Sequence, residues 1–327
     1  MGEDVEKRGK DMAMTDRDVD VPTRILIEGL LRTDGTVDGH TLYATADALG
    51  KTDQQVRLCI KRLVTEGKFT QEGRGRQATL RATPKALREM EPDVEFVRLA
   101  YRQDRDTVTP WDGYWHLAGF AIPESSRKGR DALRTRVVYL GGALVQGGLY
   151  VSPHAWEPYI RDAAAELDVE QHLSSLTTRD LKVGTLEDPV KIAAQLWPLD
   201  QIADGYERLL DVATARLHKL QNSPGTDAVT MTIELAAEFT RAMEPDPLLP
   251  PELLPTNWIG TRARSITAQC WTLLAQVDGA DELPSLFHLY ADAIGDDQDA
   301  SVRWRGGSPK RPRTSSTAVD GVTSPRS

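Results

Sequence analysis

The side chains best suited to hold a metal or pass a proton are six histidines and two cysteines in 327 residues. They are His40, His116, His154, His172, His218 and His288, with Cys59 and Cys270. None pairs at metal-ligand spacing, and neither C-x-x-C nor H-E-x-x-H occurs. No G-x-S-x-G elbow and no G-x-x-x-x-G-K-[ST] loop is present. His116 lies in an apolar run, where a hydrogen-bonded core histidine is the ordinary outcome. Gly73 and Gly75 are an isolated glycine pair and signal a turn. The sequence therefore predicts no catalytic residue, no metal ligand and no cofactor. Two cysteines exclude a disulfide scaffold and fit a reducing cytosol.

The cations carry more information. The chain is acidic overall, at −9, but residues 21–90 hold 12 basic and 8 acidic side chains. The tail 301–327 is also basic, at +5, which leaves residues 91–300 at −15. A small basic module thus precedes an acidic body, and local charge decides whether a surface meets phosphate. The candidate DNA-contacting set is Thr52, Gln54, Gln55, Arg57, Lys61, Arg62, Arg74, Arg76 and Arg81. Arginine reads guanine and glutamine reads adenine bidentately. The arginines at the Gly73-Arg74-Gly75-Arg76 tip suit phosphate or minor-groove contact. Gln55 has a competing role, because Thr52-Asp53-Gln54-Gln55 is a capping-box pattern that would use its side chain.

These residues need elements to position them. Pro22 suits a first helical position, followed by the stripe Ile25, Leu26, Gly29 and Leu30. Asp34-Gly35 and Asp38-Gly39 punctuate a loop. Leu42, Ala46 and Leu49 mark a second helix that Gly50 stops. A third helix follows Thr52, with Val56, Cys59, Ile60, Leu63 and Val64 inward and Gln54, Arg57, Leu58 and Lys61 outward. Strand-like runs at Lys68–Gln71 and Gln77–Ala82 flank the arginine tip as a hairpin. Thr83-Pro84 opens a fourth helix. Helix, helix, turn, helix, hairpin is the winged helix-turn-helix order.

A second unit begins near Trp111. Trp115–Ile122 is apolar on both faces, which suits a covered strand. A helix with Leu133, Val137 and Leu140 inward stops at Gly141. The segment ALVQ-GG-LYVS is a hairpin on a Gly147-Gly148 turn. A helix over Glu157–Leu167 and a strand over Leu173–Thr177 complete β-α-β-β-α-β, the ferredoxin-like order. Beyond Asp188 the chain reads as helical, with Ile202, Tyr206, Leu209, Leu210, Ala213 and Leu217 on one long helix. Further helices are expected over Thr230–Met243 and Arg262–Val277, with an apolar piece at Leu283–Ile294. Between them, EPDPLLPPELLPTNWIG carries five prolines in seventeen residues. Leu248, Leu249, Leu253, Leu254 and Trp258 make it too apolar for a linker, so a packed crossing is expected.

The fold class is therefore α+β. The expected domains are 1–20 disordered, 21–92 winged helix, 93–110 connector, 111–187 ferredoxin-like, 188–298 helical and 299–327 a disordered tail. No apolar run approaches a membrane span, and the N-terminus has no signal-peptide core, so a cytoplasmic protein is expected.

Three segments resemble the PaaX family of bacterial transcriptional repressors. They are VRLCIKRLVTEGKFTQEGRGRQATLRATPKA, WDGYWHLAGFAIPESSRKGRDALRTRVVYLGGALVQGGLYVSP and DPLLPPELLPTNWIG. The resemblance implies a homodimer on a palindromic double-stranded DNA operator, released by an aryl-CoA thioester such as phenylacetyl-CoA. Arg130 and Arg134 on the basic helix, with Trp115, form the candidate effector site for an acyl-CoA. The same arginines also read as a solvated face, and the same tryptophan as a core anchor. Gly141-Gly142 departs from the family, where an aromatic is expected after the first glycine. The central unit also resembles CRISPR-associated endoribonucleases, so the alternative function is a metal-dependent nuclease. Asp112 precedes and Glu124 follows the first strand, but metal-assisted cleavage needs convergent carboxylates.

Overall fold

The computed structural model describes residues 19–104, 110–222 and 227–276, with Pro284 and Tyr290. Residues 1–18, 105–109, the rest of Leu283–Ile294 and the tail 299–327 lie outside the described residues. The chain is mixed helix and sheet, with two antiparallel sheets.

The first part runs α1 Thr23–Gly29, β1 Thr36–Asp38, α2 Gly39–Ala48, α3 Asp53–Thr65, β2 Phe69–Glu72 and β3 Thr79–Ala82. Its sheet order is β1-β3-β2, with Val37 opposite Leu80 and Phe69 opposite Ala82. Strand β1 corrects the expected loop at Asp34–Gly39. Asp38 closes β1 and also caps α2, accepting from Thr41 N at 2.8 Å. Leu26, Ile27, Leu42, Val56, Ile60, Leu63 and Leu80 close the core between helices and sheet. Val64, expected inward, is 39% exposed, one residue before the end of α3.

Thr83 caps α4 Pro84–Gln103 as expected, accepting from Ala86 N. This helix runs unbroken across the expected 92/93 boundary, so one 20-residue element joins the basic module to the body. At 1.5 Å per residue it is a strut of about 30 Å.

The central part runs β4 Trp115–Phe120, α5 Arg127–Tyr139, β5 Ala143–Gln146, β6 Leu149–Ser152, α6 Glu157–Glu166 and β7 Leu173–Thr178. The sheet order is β5-β6-β4-β7, with every pair antiparallel. β4 ends at Phe120, two residues before the expected limit. Both its faces are covered. Ala118 and Phe120 pack with Leu133, Val137 and Ile160 of α5 and α6. Trp115 and Leu117 face the other way, into the core shared with the helical part. Gly147 and Gly148 both take positive φ, as the two-residue turn requires.

The last part holds α7 Pro189–Leu196, α8 Leu199–Asn222, α9 Ala228–Met243 and α10 Ile259–Leu274. α10 begins three residues before the expected Arg262. Leu248, Leu249 and Leu253 are buried, so the proline-rich crossing is packed as expected. Arg241 on α9 donates to the Asp20 carbonyl at 2.7 Å, tying this part to the start of the basic module. Among the described residues no helix is long and apolar enough to cross a membrane.

Candidate nucleic-acid interface

Helix α3 is set by a complete capping box. Thr52 Oγ1 accepts from Gln55 N at 3.2 Å, and Gln55 Oε1 accepts from Thr52 N at 2.8 Å. Both side chains are therefore engaged at the helix start. The anchored face of α3, through Val56, Ile60 and Leu63, turns Gln54, Arg57, Leu58, Lys61 and Arg62 outward, and all five are exposed. Leu58 is 60% exposed in the middle of this polar face.

The β2–β3 hairpin meets the same helix end. Arg76 lies 4.0 Å from the Asp53 carboxylate and sits over the Tyr43 ring at 5.7 Å. Arg57 Nε donates to the Asp53 carbonyl at 3.1 Å. Burial holds the Tyr43 hydroxyl above the usual tyrosine range, with Arg57 and Arg76 acting against it. Arg57 and Arg76 are thus gathered around Asp53 and Tyr43. Arg74 is exposed at the tip, and Arg81 is exposed on β3. Arg62 is drawn toward Glu66, 3.5 Å away on its own helix.

Sequence reading missed Gly39 as part of this site. Its amide donates to Ala78 O at 2.8 Å, and a Cβ there would lie 2.5 Å from the same oxygen. Only glycine lets α2 approach the hairpin base this closely. The signal available was the Asp38-Gly39 pair, whose turn chemistry resembles a helix cap.

The residues expected to bind an effector are not gathered. Trp115 is 1% exposed, stacked on Trp197 at 6.3 Å and edge-on to Trp111 at 5.0 Å. It lies on the sheet face opposite α5. Arg130 donates to Glu124 at 2.9 Å, while Arg134 is exposed. The departure at Gly142 has a physical counterpart. The Trp156 ring occupies the space a side chain at 142 would need, within contact distance of its Cβ.

Asp112 accepts from Tyr114 N at 2.9 Å, and Glu124 is engaged by Arg130 and Arg127, so the two acids flanking β4 serve separate local contacts. Among the described residues no three His, Cys, Asp or Glu side chains cluster as a metal site. His116 is hydrogen-bonded to Glu157 at 2.7 Å.

Comparison with known families matches residues 108–190 to the PaaX protein central Cas2-like domain and residues 197–280 to the PaaX-like protein C-terminal domain. Both are modules of a transcriptional regulator family. The chain belongs to the PaaX family, and the two matches together cover about half of it. Among solved structures it is similar to an uncharacterized protein from Mycobacterium tuberculosis, at 25% identity and a TM-score of 0.46, over 74% of this chain and 90% of that one. No curated protein matches it.

Proposed function

We propose that the chain is a DNA-binding transcriptional repressor of the cytoplasm. In this reading α1–α3 and the β2–β3 hairpin act as a winged helix-turn-helix. α3 enters the major groove, with Gln54 and Arg57 on base edges and Lys61 and Arg62 toward the backbone. Arg74, Arg76 and Arg81 on the hairpin hold phosphates. The observation that carries the reading is the exposed Gln54–Arg62 face of α3 beside the arginine-tipped hairpin, on a module of net +4 within an acidic chain. The family membership of the body supports it.

One such module spans only a few base pairs. A homodimer on a palindromic operator supplies the remaining specificity through two half-sites. Release by a small ligand, of the acyl-CoA class implied by the family resemblance, completes the switch, since a ligand acts only through different affinity for two states.

The test is selection of duplex fragments from genomic DNA by the full-length chain, followed by footprinting and light scattering. The expected result is a protected palindrome with two chains bound. Absence of duplex binding at low salt and micromolar protein overturns the reading, and one chain per protected site overturns its dimeric part.

A further inference from the structure

A cavity of about 1110 Å³ opens where the proline-rich crossing, the first turns of α10, the C-terminal end of α4 and Val190 of α7 meet. That is slightly larger than the roughly 300–1,000 Å³ of most small-molecule sites. Its lining mixes apolar side chains with polar ones. Val190, Leu254, Ile259 and Ile266 are apolar members of the lining, and Val190 is left 41% exposed. Arg262, Thr261 and Ser265 line the same cavity, with Arg262 on the α10 face that also carries Ile259 and Ile266. Arg262 is exposed and takes part in no ion pair or hydrogen bond among the described residues. The start of α10 adds to its field: the cap residue Trp258 makes no side-chain bond to the helix, and its first turn holds no acid.

The floor is a buried ion pair. Arg264 gives two hydrogen bonds to Asp104, both 2.6 Å, and a third to Tyr206, with Asp246 at 3.4 Å. Its charge is balanced by Asp104 and Asp246, so the cation facing the opening is Arg262. Asp104 is the residue that ends α4. The other end of α4 is fixed to the basic module. Thr83 Oγ1 donates to Gly67 O at 2.8 Å, and Lys85 Nζ donates to Glu66 O at 3.1 Å, at the junction of α3 and the hairpin. Thr83 and Asp104 therefore cap the two ends of one continuous helix.

We propose that this cavity binds an organic anion with an apolar body, and that its occupancy is transmitted along α4 to the β2–β3 hairpin. The anionic group meets Arg262 and the start of α10. The apolar body lies against Val190, Leu254 and Ile266. A negative charge placed there competes with Asp104 for the guanidinium of Arg264, and moves the end of the strut. The regulatory sense of this motion rests on the DNA-binding reading above; the binding and the transmission do not.

The test uses the full-length chain and anilinonaphthalene sulfonate, a fluorescent aryl anion, as probe. The expected result is saturable binding that weakens about tenfold or more in Arg262→Glu and in Val190→Glu. Both positions are exposed, so neither change threatens folding. Val138→Glu, at an exposed apolar position on α5, is the control and leaves binding unchanged. Amide hydrogen exchange read on the same samples is expected to change in Phe69–Ala82 when the probe saturates the unsubstituted chain, and to stay constant in Arg262→Glu. Equal probe affinity in all three variants overturns the site. Saturable, variant-sensitive binding with unaltered exchange in the hairpin overturns the transmission. Neither readout involves DNA, so loss of the DNA-binding reading leaves a distinct signature.

Discussion

Asp104 and Arg264, 160 residues apart, face each other through two hydrogen bonds of 2.6 Å, and this pair joins the end of α4 to α10. Arg264 is 3% exposed. Burying a guanidinium is costly unless every donor is matched, and here Asp104, Asp246 and Tyr206 share them. Removing one member leaves the others as uncompensated buried charge. Arg264→Met is therefore expected to lower unfolding stability by about 3–5 kcal/mol. Urea denaturation followed by circular dichroism checks this. A loss under about 1 kcal/mol would show that the network is solvated or dispensable.

Under the proposed DNA-binding reading, the exposed residues of α3 and of the hairpin have different signatures. Arg57→Ala is expected to weaken binding to the selected operator by about 1–3 kcal/mol, with little effect on unrelated duplex. Arg74→Ala and Arg76→Ala are expected to weaken binding to every duplex and to lower the salt slope by about one each. Affinity measured against salt concentration on both duplexes separates the two. Identical behaviour of all three variants would remove the distinction between helix and hairpin.

Much of the local structure was legible because its causes are local. The Thr52–Gln55 capping box, the Thr83-Pro84 helix start and the Gly147-Gly148 turn each depend on residues within one turn of chain, and each is present. The two covered faces of β4 were legible from its unbroken apolar run. Strand β1 was not, because three residues have no period of their own and are held by pairing with β3. Arg216, Glu238 and Arg264 are charged side chains that no local pattern singles out, and all are buried. What buries them is a partner elsewhere: Glu234 for Arg216, Arg208 for Glu238 and Asp104 for Arg264. For the same reason the expected grouping of Trp115 with Arg130 and Arg134 joins residues that the sheet separates. Membership of one strand-helix unit does not place two side chains on one side of the sheet.

Two glycines are expected to tolerate no side chain. At Gly142 a Cβ would enter the Trp156 ring and lie 2.8 Å from Val137 O. At Gly39 it would lie 2.5 Å from Ala78 O, a backbone atom with little room to yield. Overpacking of this kind costs about 1–3 kcal/mol. Gly142→Ala and Gly39→Ala are each expected to lower the melting temperature, and Gly39→Ala is expected to loosen the hairpin as well. By contrast, no Cβ contact opposes a side chain at Gly147, although its φ of +46 still favours glycine or asparagine. Gly147→Asn is the matched control, and a fall in melting temperature as large as that of Gly142→Ala would refute the steric argument.

His154 gives the fold a dependence on pH. It is partly buried between the central sheet and the proline-rich crossing, where Nε2 donates to Leu248 O at 2.8 Å. Burial, aided by nearby His116, pushes its pKa down to about 3 from the ordinary 6.5, so the folded chain holds it neutral. Unfolding exposes a histidine that takes up a proton at 6.5. Above that pH neither state binds the proton, and the contribution to stability is complete. Between 6.5 and about 3 only the unfolded state binds it, so stability falls as pH falls, by about 1.4 kcal/mol per unit. The hydrogen-bonded carboxylates Asp34 and Asp38 are held below their ordinary 3.8, so their contributions are lost only in more acid solution. The range from pH 6 down to about 4.5 therefore isolates the histidine. His154→Gln keeps a donor for Leu248 O and cannot titrate. Its stability, measured by urea denaturation at several pH values, is expected to be flatter across that range than that of the unsubstituted chain. Equal slopes in the two proteins would show that His154 is protonated in the folded state.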